Sequence, residues 1–376
     1  MRISFVTDTW LPETNGVTTV LATMHQGLQQ RGHTVQVIAP RYGRNEDDAR
    51  DIVRRPSVVM PGYAHSRLAL PFDRGTGRAL QAFRPDLVHV VTEGPLGAAG
   101  RRFAVSSRIP LVTSFHTDFP RYAARYLGRW AVAPVRAYLR RFHGAAAITQ
   151  TPSEATRSEL AALGLSRTVV WGRGVDSMLF SPQRRSGARR AAMGAAHRVV
   201  VLHVSRLAVE KDMETLIACF QRAQDRLGDA LCFVVAGDGP RAADVRDALP
   251  YAIHRGFLGR PALADLYADA DLFVFPSRTE TCGLVVLEAM ASGLPVIAPD
   301  AGGPRDLVAP MHTGLLLPVA DFEAKLGAAT DHLLAERQRY SVAARRSVLA
   351  RTWPAVCQQL IGHYEEVLGT RGVKAA

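Results

Sequence analysis

The chain has 376 residues, 47% hydrophobic and 21% charged, with 46 Lys plus Arg against 34 Asp plus Glu and a net charge of +12. This composition excludes a disordered chain, and the length predicts two domains of roughly 100–200 residues each. No apolar run approaches the ~18 residues that cross a bilayer, and the opening MRISFVTDTW meets an acid and a turn too early for a secretory signal.

The charge is uneven. Residues 1–180 hold 23 Arg and no Lys against 13 acids, and the remainder holds 23 basic residues against 21 acids. The first half is therefore expected to attract something anionic: a nucleic acid, a phosphorylated acceptor or an acidic membrane surface. A general preference for arginine, 43 Arg to 3 Lys, does not explain the asymmetry, because the halves differ in acids and not in bases. Cys219, Cys232, Cys282 and Cys357 show neither C-x-x-C spacing nor a His pair at zinc spacing. They fit buried free thiols in a reducing compartment better than a disulfide framework or a metal site.

In chain order, RISFVTD reads as a buried strand, and GVTTVLATMHQGLQQRG as a helix that stops at a glycine. TVQVIAP, DLVHVVT and IPLVTSF read as further strands, and AAAITQTPSEATRSELAALG as a strand followed by a helix capped by Ser153. The alternation predicts a parallel sheet covered on both faces. GRGVDSMLFSPQRRSGARR, rich in Gly, Pro, Ser and Arg, is read as the interdomain connection. The pattern then restarts: strand RVVVLHVS, helix DMETLIACFQRAQDRLG, strand LCFVVAG, helix PRAADVRDAL, strand DLFVFPS, a helix over 283–292, and strands PVIAP and TGLLLPV. A last amphipathic helix is predicted over roughly 353–368. The reading is α/β with two doubly wound sheets, whose ligands bind at the strand C-terminal ends.

Most of the unusual residues follow a predicted strand. TDTWLPETNGVTTV, the first strand-to-helix loop, lacks G-x-G-x-x-G, so the dinucleotide fingerprint is absent. Gly16 opens the helix there behind an Asn15 cap, which an ordinary capped loop would also provide. His116 and Asp118 end IPLVTSFHTDF; His116 could touch a substrate hydroxyl or move a proton, or be structural. FPRYAARYLGRWAVAPVRAYLRRFHG interleaves arginines with aromatics. Arg121, Arg125 and Arg129, at i, i+4 and i+8, make a basic stripe beside Trp130, suited to a lipid headgroup surface, to RNA, or to a plain solvated face.

In HVSRLAVEKD, Arg206 and Lys211 follow a strand and could clamp a diphosphate, Lys as a point charge and Arg as a fork; a surface loop with two cations fits as well. FVVAGDGPRAADV places Gly237, Gly239 and Pro240 in a turn that suits a phosphate or base lip. SRTETCGLVVLEAM sets Glu280 in a strand-to-helix loop and Glu288 inside the helix, with the amides near Gly283 and Leu284 as helix-end donors to a phosphate. Two carboxylates so placed could take a sugar and a ribose at opposite ends of a diphosphate. Equally, Glu280 could stabilise the helix dipole and Glu288 face water.

With these residues in view, the chain resembles glycosyltransferase family 4, above all its mannosyl- and glucosyl-type lipid transferases. The resemblance covers essentially the whole chain through TDTWLPETNGV, FHTDFPRYA, TPSEATRSEL, GRGVDSMLFSP, VSRLAVEKD, GDGP, RGFLGR, SRTETCGLVVLEAMASGLPVIA and RTWPAV. The Glu280–Glu288 pair matches the family's E-x7-E signature. Asn15–Gly16 stands where a glycine pair is usual, and Cys282 where an aromatic is commoner.

The resemblance implies a GT-B fold: two Rossmann-like domains facing a cleft, at 1–178 and 179–352, with residues 353–376 crossing back to the first. It implies sugar transfer from a nucleotide-sugar with retention and no metal. His116 would lie near the donor sugar, Gly16 near the diphosphate, and Arg206 and Lys211 on it. Glu280 would meet the sugar and Glu288 the ribose, with Gly239, Arg260, Gly283 and Leu284 completing the donor site. The expected donor is GDP-mannose, with a UDP-sugar as alternative (glucosyl, glucuronosyl or sulfoquinovosyl transfer to diacylglycerol). The expected acceptor is a lipid or glycolipid at an anionic membrane surface met by Arg121, Arg125, Arg129 and Trp130. No nucleic acid is expected, and the enzyme would be cytoplasmic and peripheral on the inner face of the membrane. Two readings compete: a non-catalytic nucleotide-sugar-binding protein on the same fold and an NAD-dependent oxidoreductase, the latter weakened by the missing glycine fingerprint.

Overall fold

The computed structural model describes residues 1–43, 49–60, 63–70 and 74–373. The chain divides into two compact units, one running to Gly172 and joined by the helix Trp353–Val373, the other running from Arg173 to Thr352.

The first unit carries strands β1 (Arg2–Val6), β2 (Thr34–Pro40), β3 (Ile52–Arg55), β4 (Ser57–Met60), β5 (Tyr63–Ala69), β6 (Leu87–Val90), β7 (Leu111–Ser114), β8 (Ile148–Thr151) and β9 (Thr168–Val170). Seven of them form a sheet in the order β3-β2-β1-β6-β7-β8-β9, with every pairing parallel. The central strands are continuous apolar runs because helices cover both faces; β6, LVHV, is buried at every position. The predicted Asn15 cap is present: its side-chain oxygen accepts the Val17 and Thr18 amides at 2.9 Å each and starts the helix Gly16–Gln30.

The pairs β1–β2 and β1–β6 run in opposite directions across the sheet, so the strand order reverses between β1 and β6. The C-terminal helix is anchored in this unit. Tyr364 bonds His89 on β6 at 2.6 Å, and Trp171 donates its indole N–H to the Val356 carbonyl at 3.2 Å.

Four strands here were not foreseen from sequence, the short edge strand β9 among them. Edge strand β3 reads IVRR, half-buried throughout, and lacks an apolar run. Strands β4 and β5 pair antiparallel as a separate two-stranded ribbon, with Val58 opposite Leu68 and Ser57 opposite Ala69.

The second unit carries β10 (Val199–Val204), β11 (Leu231–Ala236), β12 (Ile253–Gly256), β13 (Leu272–Val274), β14 (Val296–Pro299) and β15 (Gly314–Leu317). These form one parallel sheet in the order β12-β11-β10-β13-β14-β15. One face packs Phe273, Phe275, Leu287 and Met290; the other packs Val201, Leu216, Phe220 and Phe233. The order reverses between β10 and β13. At such a reversal the loops leaving adjacent strands diverge to opposite faces and open a crevice at the strand C-terminal ends.

All four cysteines are free, with Cys282 partly exposed and the others buried. Among the described residues no helix is long and apolar enough to cross a membrane.

Candidate active site

The loops that leave β10 and β13 meet over the reversal point of the second sheet and are joined by three ties. The Lys211 ammonium donates to Glu280 Oε2 at 2.7 Å. The Thr279 hydroxyl donates to the Glu210 carbonyl at 2.6 Å, and Arg278 donates its amide and its guanidinium to the Asp212 carboxylate at 2.9 and 2.7 Å. Arg206 is drawn onto the fully buried Glu210 carboxylate. The turn bearing Gly239 lies against the same loop, with the Leu207 amide donating to the Asp238 carbonyl at 2.9 Å. Thus Arg206, Lys211, Gly239, Glu280 and Gly283 are gathered around one crevice.

Glu280 does more at this site than its sequence position suggested. Its Oε1 accepts the Gly283 amide at 3.1 Å and the Cys282 amide at 3.4 Å. The Gly283 helix-end donor expected to face a phosphate is therefore already satisfied by Glu280, and the amides left to a ligand begin with Leu284, the first residue of the helix Leu284–Ala291. Burial pushes the Glu280 carboxyl up, but Lys211 and the two amides outweigh it and hold the group below its ordinary value. It stays an anionic acceptor and is a poor proton donor.

Glu288 lies four residues beyond Leu284, about 6 Å along the helix. It does not face open water, as the solvated alternative required: its side chain is 12% exposed and lies 3.3 Å from Arg260. The Arg260 guanidinium also stacks on Phe180, 5.1 Å from the ring centre. Burial pushes the Glu288 carboxyl up to about 7, with Arg260 and the Tyr267 hydroxyl pulling the other way. Glu280 with Lys211 and Glu288 with Arg260 thus form two charged stations along one short helix.

Some groups at this crevice were missed from sequence. Gly302 and Gly303, after β14, bring a third loop against the site. The Gly303 amide donates to the Glu280 carbonyl at 2.7 Å. A Cβ on Gly302 would lie 2.3 Å from that same carbonyl, and Gly302 holds φ +59. A side chain there would push Glu280 out of place. The pair follows a strand and precedes Pro304 at a helix start, a signal that DAGGPRD carried. Glu210 and Asp212 gave no such signal, since nothing local marks which acids meet a distant loop.

In the first unit, Gly16 begins its helix beyond the end of β1, and His116 follows β7, half-buried, edge-on to Trp171 with ring centres 6.4 Å apart. The continuous basic stripe does not survive. The helix Phe119–Tyr126 ends before Gly128, which takes φ +102, and Arg129 belongs to a separate tight turn, so the three arginines do not share one helix face. Arg121 is tied to Asp118 at 3.0 Å and to Glu159 at 2.6 Å. Arg125 and Arg129 are exposed, and Trp130 is 75% exposed beside exposed Leu127 and Tyr126. A second apolar surface was missed: Val58, Leu68 and Leu70 project from the β4–β5 ribbon, all exposed, while Ala69 turns inward to the core.

Among the described residues no group of three His, Cys, Asp or Glu side chains is placed to hold a metal ion. The sequence matches the profile of Glycosyltransferase Family 4 over residues 14–178 and that of Glycosyl transferases group 1 over residues 198–336. It is 44% identical to a GDP-mannose-dependent alpha-mannosyltransferase of Mycolicibacterium smegmatis, with 100% of each chain covered. The corresponding protein of Mycobacterium tuberculosis is 41% identical, over 100% of this chain and 99% of that one. Among solved structures, Anabaena HepE in complex with UDP is similar at a TM-score of 0.76 and 20% identity, over 97% of this chain and 100% of that one. That likeness concerns the fold, which is GT-B.

Proposed function

Because the chain belongs to glycosyltransferase family 4, we propose that it is a retaining mannosyltransferase, drawing on GDP-mannose and passing mannose to a lipid or glycolipid acceptor at a membrane surface. The observation that carries the donor chemistry is the Lys211–Glu280 contact of 2.7 Å at the point where the second sheet reverses. A cation and an anionic acceptor side by side suit the two parts of a nucleotide-sugar, diphosphate and hexose hydroxyls.

In this reading Arg206 and Lys211 hold the diphosphate, with the Leu284 amide near it. Charge grows on the phosphate oxygen as the sugar leaves, and the two cations stabilise it. The acceptor hydroxyl oxygen attacks the anomeric carbon on the face that the diphosphate vacates. The bond to the phosphate oxygen breaks, the new glycosidic bond forms, and the hydroxyl proton passes to the departing GDP. Glu280, already engaged by Lys211 and two amides, orients sugar hydroxyls and is not the nucleophile. Glu288 takes the ribose, and Gly239 and Arg260 border the base.

The acceptor side rests on the basic first half and its exposed apolar groups. Arg125, Arg129 and Trp130, with the β4–β5 ribbon, pair cationic and apolar surface as an anionic lipid interface requires. The protein would then work on the cytoplasmic face of the membrane without crossing it.

The test is a donor screen: calorimetric titration with GDP and UDP, then release of GDP or UDP from each nucleotide-sugar in the presence of membrane extract. GDP binding with GDP release from GDP-mannose is expected. Release from a UDP-sugar alone would transfer the reading to that donor, and binding of neither nucleotide would overturn it. A covalent glycosyl-enzyme trapped during turnover would refute the mechanism.

A further inference from the structure

His203 sits on β10 with no exposure to solvent, one residue from the end of the strand. Its Nδ1 is 2.9 Å from the Val274 carbonyl, the last residue of β13, and its Nε2 is 2.8 Å from Ser205 Oγ. These two strands flank the reversal point. One imidazole therefore bridges the ends of the strands that launch the Arg206–Lys211 loop and the Glu280 loop.

We propose that His203 is a positioning residue for the donor site: the Val274 carbonyl fixes which ring nitrogen carries the proton, and through Ser205 the other nitrogen sets the peptide that carries Arg206. This rests on the donor-site reading given above.

The hydrogen-bond inventory leaves one arrangement. The Val274 carbonyl can only accept, so Nδ1 carries a proton. Burial pushes the imidazole down to about 4, against the Val274 carbonyl and with Lys211 adding to the effect, so the ring is neutral at pH 7. Nε2 is then a lone pair, and the proton it needs comes from the Ser205 hydroxyl. Ser205 Oγ also lies 3.1 Å from the Arg206 carbonyl, a second acceptor for its single proton. His203 holds that proton away from Arg206. Without the ring acceptor the hydroxyl turns onto the Arg206 carbonyl and pulls on the peptide from which the guanidinium projects. A group that served only to fill the core would need neither nitrogen, and an apolar side chain would pack there without a desolvation cost.

Asparagine and glutamine separate the two functions of the ring. His203→Asn keeps a donor near Nδ1 for Val274 and loses the acceptor at Nε2; His203→Gln places an amide oxygen near Nε2 for Ser205 and loses the first donor. GDP affinity, donor KM, kcat and the melting temperature would be measured on the full chain for both variants, for His203→Gln with Ser205→Ala, and for Lys211→Met. The expected result is GDP binding weakened about tenfold and donor KM raised likewise in His203→Asn, the cost of roughly one hydrogen bond to a charged-site element. His203→Gln is expected to stay within about threefold of the parent, and that rescue to vanish with Ser205→Ala. A His203→Asn protein that binds GDP as the parent does, or a His203→Gln protein equally impaired with losses that follow only the melting temperature, overturns the proposal. If Lys211→Met also binds GDP normally, the donor-site reading falls; if Lys211→Met fails and His203→Asn does not, the positioning role alone falls.

Discussion

Lys211 donates from Nζ to Oε2 of Glu280 at 2.7 Å, across 69 positions of sequence, and both side chains are largely shielded from solvent. The pair is one of two ion pairs of that length between the two loops that build the crevice, the other being Arg278 with Asp212, and it sets the ionisation of Glu280.

Replacing Lys211 by Met removes the counter-ion and leaves burial unopposed except by two amides. The Glu280 carboxyl is held below its ordinary 4.5, so its contribution to stability is present above that value and is lost as pH falls through the folded value. Lys211→Met should cost about 2 kcal/mol in urea unfolding at pH 7 and move acid unfolding to higher pH. The fall in kcat/KM should reach about a hundredfold, the usual effect of losing one group that stabilises transition-state charge. Parallel denaturation series at pH 3 to 7 and steady-state kinetics check both.

Glu288 gives the opposite sign. Its folded value of about 7 stands above the ordinary 4.5, so the stability linked to it is complete below about 4.5 and is lost as pH rises through 7. The native protein should therefore lose up to roughly 3 kcal/mol between pH 5 and 8.5 from this group alone. Glu288→Gln should flatten that slope. A ribose that donates hydroxyls to the carboxylate favours its charged form, so GDP binding near pH 7 should release protons in the parent and fewer in the variant. Calorimetry in buffers of different ionisation enthalpy measures this.

Gly302→Ala tests the third loop. A methyl at 2.3 Å from the Glu280 carbonyl, on a backbone at φ +59, cannot be accommodated without moving the loop. A stability loss of about 1–3 kcal/mol is expected. Donor KM should rise about tenfold, because Glu280 shifts even though no catalytic group is removed. Thermal melts with and without GDP, and donor titrations, separate the two effects.

The acceptor surface predicts a contrast among three arginines. Arg125→Glu with Arg129→Glu should lower binding to anionic vesicles by at least about thirtyfold at low salt, at ~1 kcal/mol per basic residue. Arg121→Ala should change vesicle binding less and stability more, because Asp118 and Glu159 hold that side chain. Val58→Ser with Leu68→Ser should weaken vesicle binding and leave GDP affinity unchanged. Flotation assays across a salt series, with a GDP titration as control, test all three; unchanged binding in the double charge reversal would clear that surface of the role.

The amino-acid sequence by itself determined the two doubly wound sheets, because buried parallel strands need continuous apolar runs such as TVQVIAP and LCFVVA, and these coincide with β2 and β11. It also marked Arg206, Lys211, Glu280 and Glu288, since a charged residue just after a buried strand or inside an apolar helix stands out locally. The edge strand β3 and the β4–β5 ribbon left no such trace, being partly solvated.

Only the tertiary structure decided what the charges do. That Lys211 neutralises Glu280, that Arg260 meets Glu288, and that Gly302 presses on the Glu280 loop all depend on contacts between residues far apart in the chain, and even the local bond from the Gly283 amide to Glu280 is a turn geometry that the packed loops select. Hydrogen-bond partners and local dielectric are set by the packing of neighbouring loops, and no sequence period encodes them.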